Sequence, residues 1–136
     1  MNTDIEIALK FAALTHLGLI AAGVMMPRAT GLWRECAKLA PFPRTLFGVY
    51  YAFIGLCLVS FGLGSWLFAA ELSSGTPFAR AVCAFLAAFW TIRLVAALLL
   101  DVTPYLTNVW WRVGYHATNV VFSTLPFIYA WAAFAP

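Results

Sequence analysis

The sequence predicts an all-α integral membrane protein, a four-transmembrane-helix bundle with a short interfacial helix between spans 1 and 2. Hydrophobic residues make up 64% of its 136 residues and charged residues only 10%, whereas soluble domains carry roughly 25% charged residues. A helix needs about 20 apolar residues to cross about 30 Å of hydrocarbon. Four such stretches use most of the chain as a single membrane domain, at residues 5–26, 46–70, 78–101 and 110–134.

The first connection, residues 28–44, predicts the interfacial helix. Its apolar residues recur at helical spacing with charged residues between them, a pattern typical of a helix in the headgroup plane. We expect Pro41 and Pro43 to end this helix, because proline cannot continue one. At the start of span 3, Thr76 and Pro77 predict an N-cap followed by a first helical residue. Thr103 and Pro104 predict a similar start ahead of span 4.

Span 2 carries glycines every seven residues, at Gly48, Gly55 and Gly62. Such a stripe predicts that one face of the helix lies in close contact with another helix. A gap that admits a flat ligand is the alternative.

The basic residues predict the orientation in the membrane. Four lie in the first connection and Arg112 lies in the third, so the positive-inside rule places both termini outside and these two connections in the cytoplasm. Tyr129 and Trp131 are then expected near the outer aromatic belt. We expect the protein in a cell membrane, specifically the inner membrane of a bacterium.

Arg93 is a single charge well inside span 3. A charge in a membrane span needs a partner, a ligand or a route to water. Asp101 follows two helical turns later with small Ala97 between them, so one interpretation is that Arg93 snorkels or pairs with Asp101 and only fixes helix packing. The other is that the guanidinium, a planar fork of donors, binds an anionic or carbonyl group of a ligand.

Span 4 carries a polar line at spacings of four and three residues, which keeps its members on one helical face. Lipid would leave these side chains unsatisfied, so we expect the face to point into the bundle. The line consists of Arg112, His116, Asn119, Ser123 and Pro126.

His16 and His116 raise the alternative of a bis-imidazole haem. The predicted spans place the two residues at heights that differ by roughly 10 Å, which argues against a shared iron. No protein-metal site is expected otherwise, because the metal-binding motifs HxxxH, HExxH and ExxH do not occur. No sequence motif indicates a particular reaction, so the sequence does not decide whether the protein is an enzyme.

The leading functional hypothesis is a pocket on the cytoplasmic side, between spans 3 and 4, that binds a hydrophobic molecule with a polar head such as a quinone or a lipid. Arg93 and Arg112 would hold the head group, and His116 and Asn119 would hydrogen-bond it. Asp101 would orient Arg93, and Trp90 and Tyr115 would form the walls of the pocket.

Two further hypotheses come from other classes of protein. One is a non-catalytic membrane subunit or scaffold of a larger complex, and the other is a small oligomeric transporter with His16 or Arg93 as its coupling group. The expected partners are membrane lipids, a hydrophobic small molecule, and either further copies of the chain or a partner membrane subunit. Nucleic acid is not expected, because the basic residues are few and do not alternate with stacking aromatics.

Overall fold

The computed structural model describes residues 3–102, 104 and 107–135, and their regular structure is helical. Four helices are long and apolar enough to cross a membrane, as predicted, and two short helices lie between them. The six are α1 (Thr3–Ala29), α2 (Leu32–Ala37), α3 (Pro41–Leu67), α4 (Ala69–Leu72), α5 (Pro77–Leu98) and α6 (Val109–Phe134).

The start of α5 confirms the predicted cap. The Thr76 hydroxyl accepts a hydrogen bond from the Ala79 N–H at 3.3 Å, and Pro77 is the first helical residue. Pro41, in contrast, begins α3 rather than ending the helix before it. This position suits proline because the first turn of a helix needs no backbone donor there.

Two other helix ends differ from the prediction. Helix α5 ends at Leu98, so Asp101 lies beyond it and the helical spacing from Arg93 to Asp101 is interrupted. Helix α6 begins after Asn108, whose side chain accepts a hydrogen bond from the Trp110 N–H at 3.1 Å. The predicted cap at Thr103 lies outside the described residues.

Helix α2 packs against the beginning of α3 through aromatic side chains. The Trp33 ring meets the Tyr51 ring edge-on, with centroids 5.2 Å apart, and Cys36 is buried. The chain enters α2 at Gly31, whose φ of 68° is a left-handed conformation that favours glycine. The Tyr51 hydroxyl also donates to the Gly23 carbonyl, which ties α3 to α1.

The four long helices pack in the order α3, α1, α6, α5. Helix α1 lies between α3 and α6, and α6 packs against α5. The neighbours are antiparallel: Gly23 lies near Tyr51 and His16 near Gly62, so the contacts with α3 run in opposite chain directions. Helices α3 and α5 meet through Phe61 and Phe89, whose ring centroids are 5.0 Å apart.

Burial is strongly asymmetric along the bundle. We call residues 3–19, 58–72, 77–90 and 122–135 the closed half, because nearly all buried side chains of the described helices lie there. We call residues 20–29, 41–57, 91–98 and 109–121 the open half. No described residue of α5 beyond Trp90, and none of α6 before Leu125, is buried.

Polar contacts also occur toward the end of the closed half that lies away from the open half. The Arg80 guanidinium donates to the Ala135 carbonyl at 3.0 Å and so joins the beginning of α5 to the end of α6. Lys10 and Glu6 form an ion pair at 2.7 Å along α1. These two charges, which interrupt the first apolar stretch, therefore compensate each other.

Candidate functional site

Polar and aromatic side chains from all four long helices meet inside the closed half. We call this group the central layer, and it consists of His16 from α1, Ser65 from α3, Trp90 from α5 and Tyr129 from α6. Each of the four side chains is at most 1% exposed. The His16 ring lies 5.2 Å from the Trp90 ring and 6.4 Å from the Tyr129 ring between centroids, both nearly perpendicular.

The hydrogen bond at Nδ1 determines which nitrogen of the neutral His16 ring carries the hydrogen. Nδ1 lies 2.6 Å from the Ala12 carbonyl oxygen, which also accepts from the Thr15 hydroxyl at 2.7 Å. A carbonyl only accepts, so Nδ1 carries the hydrogen. In the neutral ring Nε2 is therefore a hydrogen-bond acceptor.

The hydroxyls of Ser65 and Tyr129 satisfy each other, with their oxygens 2.6 Å apart. This bond joins α3 to α6, two helices that otherwise make little contact. The sequence predicts Tyr129 near the outer aromatic belt, but in the structure its side chain is fully buried inside the bundle.

Gly62 allows α3 to approach His16. A Cβ atom at Gly62 would lie 3.0 Å from the His16 Cβ and 3.6 Å from the Ala13 carbonyl oxygen. A Cβ at Gly48 or Gly55 would meet nothing within 4 Å. The predicted close contact of the glycine stripe is therefore confirmed at Gly62 alone, within this chain.

A groove of about 360 Å³ lies between α1 and α3 beside this contact. His16 lines it together with aliphatic and aromatic side chains, among them Leu17, Ile20, Leu58 and Trp66. Apart from His16 its lining side chains are apolar, which suits a section of hydrocarbon chain.

Arg93 lies one helical turn beyond Trp90, and its side chain is exposed. Its guanidinium carbon is 5.4 Å from the centre of the Phe122 ring, a cation–π distance. The Trp90 ring also contacts Phe122, with centroids 5.5 Å apart. Phe122 thus connects the exposed arginine to the central layer.

The other predicted site residues lie in the open half or in the loop after α5. Arg112, His116 and Asp101 are exposed, and Tyr115 and Asn119 are half-buried. Further along the polar line, Ser123 is half-buried and Pro126 is buried. The line therefore enters the interior only at its C-terminal end, which corrects the expectation of an inward face along its whole length.

The positions of the two histidines oppose a shared haem iron. His16 lies beside Tyr129, and His116 lies roughly 20 Å before Tyr129 along the axis of α6 at 1.5 Å per residue. This distance is larger than the one the sequence suggested. Within the described part of the chain, no group of three or more histidine, cysteine, aspartate or glutamate residues could hold a metal ion.

Sequence reasoning identified His16 and Trp90 but missed Ser65 and Tyr129. A signal for both was present. Tyr129 continues the polar line three residues after Pro126, and Ser65 lies three residues after Gly62, the last glycine of the stripe. Extending each pattern by one turn finds the hydroxyl pair.

The chain matches no family model, no curated protein and no solved structure.

Proposed function

We propose that the chain is an integral membrane protein of a bacterial inner membrane, with both termini outside and α2 in the cytoplasmic headgroup region. The four long apolar helices support this, as do large apolar side chains that point away from the bundle, such as Phe53 and Ile54 of α3 at 61% and 58% exposure. Lipid would cover them. In this orientation the open half faces the cytoplasm, beside the basic first connection.

The proposed function is to bind a hydrophobic molecule with a polar head, quinone-like or lipid-like, in the open half between α5 and α6. One observation carries the proposal: Arg93 lies over Phe122 at the border of the closed half. A guanidinium at this place offers several donors to a carbonyl or an anionic group. The apolar surfaces of both helices are available to the rest of the molecule.

Each of the other residues has a role in the proposed site. Arg112 would add a second positive charge to the head-group region, and His116 and Asn119 would hydrogen-bond its oxygens. Asp101 would orient Arg93 from the loop after α5. Trp90 and Tyr115 would form the walls; Trp90 lies at the closed end, while Tyr115 is half-buried on α6.

Replacing Arg93 by alanine tests the proposed site. We expect Arg93→Ala to lower the amount of co-purifying ligand at least about tenfold, because a hydrogen bond to a charged group contributes about 1.5–3 kcal/mol. Mass spectrometry of molecules extracted from purified protein measures this. His116→Ala should give a smaller loss.

Arg34→Ala is the matched control, because Arg34 is an exposed arginine on α2 to which the proposal gives no role. Arg93→Lys separates charge from the guanidinium fork. Unchanged ligand retention in both Arg93→Ala and His116→Ala would rule out this site.

A second candidate function, a non-catalytic subunit or scaffold, is favoured by the surface of α3. Ser65 is the one residue of this helix that is buried, and the space at Gly48 and Gly55 is open. Close approach of a partner helix at such positions is typical of membrane helix association.

Gly55→Leu tests the second candidate. If the open glycines bind another helix, this change should dissociate the oligomer or complex without unfolding the chain, because a side chain at Gly55 meets nothing within 4 Å in the protein itself. Native mass spectrometry in detergent measures the subunit composition. If the wild-type protein is a monomer and Gly55→Leu leaves its subunit composition unchanged, the scaffold hypothesis is excluded.

A further inference from the structure

Two nitrogens of the central layer are buried without a hydrogen bond. His16 Nε2 and Trp90 Nε1 have no hydrogen-bond partner among the protein atoms that the structure describes. A buried polar group left unsatisfied costs about 1–3 kcal/mol, and native proteins satisfy nearly all such groups with protein atoms or ordered water. Two of them on neighbouring side chains make a candidate site for a further hydrogen-bonding group.

The two nitrogens have opposite hydrogen-bonding character. The bond from Nδ1 to the Ala12 carbonyl leaves Nε2 of His16 as an acceptor. The indole nitrogen of Trp90 is only a donor. The two rings lie 5.2 Å apart between centroids, one edge-on to the other, so one small group is able to contact both.

A hydroxyl group is the chemical match for this pair. Its hydrogen donates to His16 Nε2, and its oxygen accepts from Trp90 Nε1. A carbonyl or carboxylate oxygen would leave Nε2 without a donor, and an ammonium group would leave the indole N–H without an acceptor. The two nitrogens of the central layer therefore favour a hydroxyl group, whereas Arg93 favours a carbonyl or an anionic group.

The groove between α1 and α3 reaches the histidine of this pair, whereas Trp90 does not line it. His16 lines the groove, and its other lining side chains are apolar. An alkyl chain lying against Leu17, Ile20 and Leu58 would carry a terminal hydroxyl toward the imidazole. Water is the other source of an O–H group, since buried waters typically bridge such polar pairs.

We propose that His16 Nε2 and Trp90 Nε1 together bind one hydroxyl group, of a water molecule or of an apolar alcohol that lies in the groove between α1 and α3. This site uses neither Arg93 nor His116; it shares with the proposed head-group site only Trp90, whose ring forms a wall there. It does not depend on that site, because the variants Arg93→Ala and His116→Ala leave both nitrogens in place.

Nitrogen NMR of the purified wild-type protein tests the proposal. With ¹⁵N-labelled histidine and tryptophan, we expect Nε2 of His16 to show the shift of a hydrogen-bonded acceptor. The Trp90 indole hydrogen should exchange slowly and show a cross-peak to an O–H signal. The variant His16→Phe assigns the histidine signals, and Trp90→Phe removes the indole donor. Trp131→Phe, at a half-exposed tryptophan of α6, is the matched control.

Two probes distinguish the sources of the hydroxyl. If 1-dodecanol shifts the His16 and Trp90 signals and dodecane does not, the hydroxyl belongs to an alcohol in the groove. If neither probe shifts them and the Trp90 indole hydrogen shows its cross-peak to water, the hydroxyl belongs to water. Both results support the site.

Three results would overturn the proposal. The first is an Nε2 signal of an imidazole without a hydrogen bond. The second is a direct bond between the Trp90 N–H and Nε2, with no O–H signal between them. The third is a hydrogen on Nε2 instead of Nδ1. Because the main measurement uses the wild-type chain, it remains decisive even where a variant fails to fold.

Discussion

Trp90→Ala is expected to lower the free energy of unfolding by about 3 kcal/mol or more, the usual effect of truncating a fully buried tryptophan. The Trp90 ring contacts His16, Phe89 and Phe122, so its loss leaves a cavity between three helices. Packing rather than water exclusion holds apolar helices together in lipid, so the lost contacts are not replaced. Chemical unfolding in a fixed detergent, followed by circular dichroism, measures the change.

Trp131→Ala is the control for this truncation. Trp131 lies on α6 in the closed half but is 47% exposed, so its removal should change the unfolding free energy much less. Equal losses in the two variants would show that Trp90 is not a packing centre of the bundle.

Gly62→Leu is expected to separate α1 from α3 near His16. Even a single Cβ atom there would lie 3.0 Å from the His16 Cβ, and overpacking of this kind typically costs about 1–3 kcal/mol. Leucine adds atoms that also meet the Ala13 carbonyl, so we expect a loss near the upper end of that range. Gly62→Ala should cost less, since His16 has to shift by only a few tenths of an ångström.

Gly64→Leu is a matched control on the same helix, because a Cβ atom at Gly64 meets nothing within 4 Å. The two leucine variants have the same composition and differ only in which face of α3 carries the new side chain. Thermal melting followed by circular dichroism compares them. A Gly62→Leu protein as stable as Gly64→Leu would contradict the close contact.

Hydropathy predicted the four long helices because each apolar stretch, at 22 to 25 residues, reaches the roughly 20 residues that a span needs. The ends depended on local chemistry. Thr76 and Pro77 predict a helix start, which the structure confirms, whereas Pro41 predicts a helix end and instead begins α3. Proline is compatible with both, as it stops a preceding helix and also fits the first turn of the next one.

The central layer was harder to predict. Hydrophobic periodicity shows which residues of one helix share a face, but not which other helix that face packs against. Trp90 and Arg93 lie one turn apart on α5, yet one is buried and the other exposed. Their difference reflects where the closed half ends, which depends on the packing of α6 against α5. The hydroxyl pair of Ser65 and Tyr129 joins helices that are distant in the sequence, so neither residue alone indicated the other.

Pro126 is a position at which α6 is able to bend, next to Leu125, where burial of this helix begins. Without a backbone N–H, this residue cannot donate to the carbonyl one turn earlier, at Phe122, and such positions are where helices bend. From Pro126 to Val109, α6 extends about 25 Å at 1.5 Å per residue. A bend of about 10° at this pivot would therefore move the far end by about 4 Å while the buried base stays fixed. Arg112, near the tip of this lever arm, would travel several times farther than Phe122.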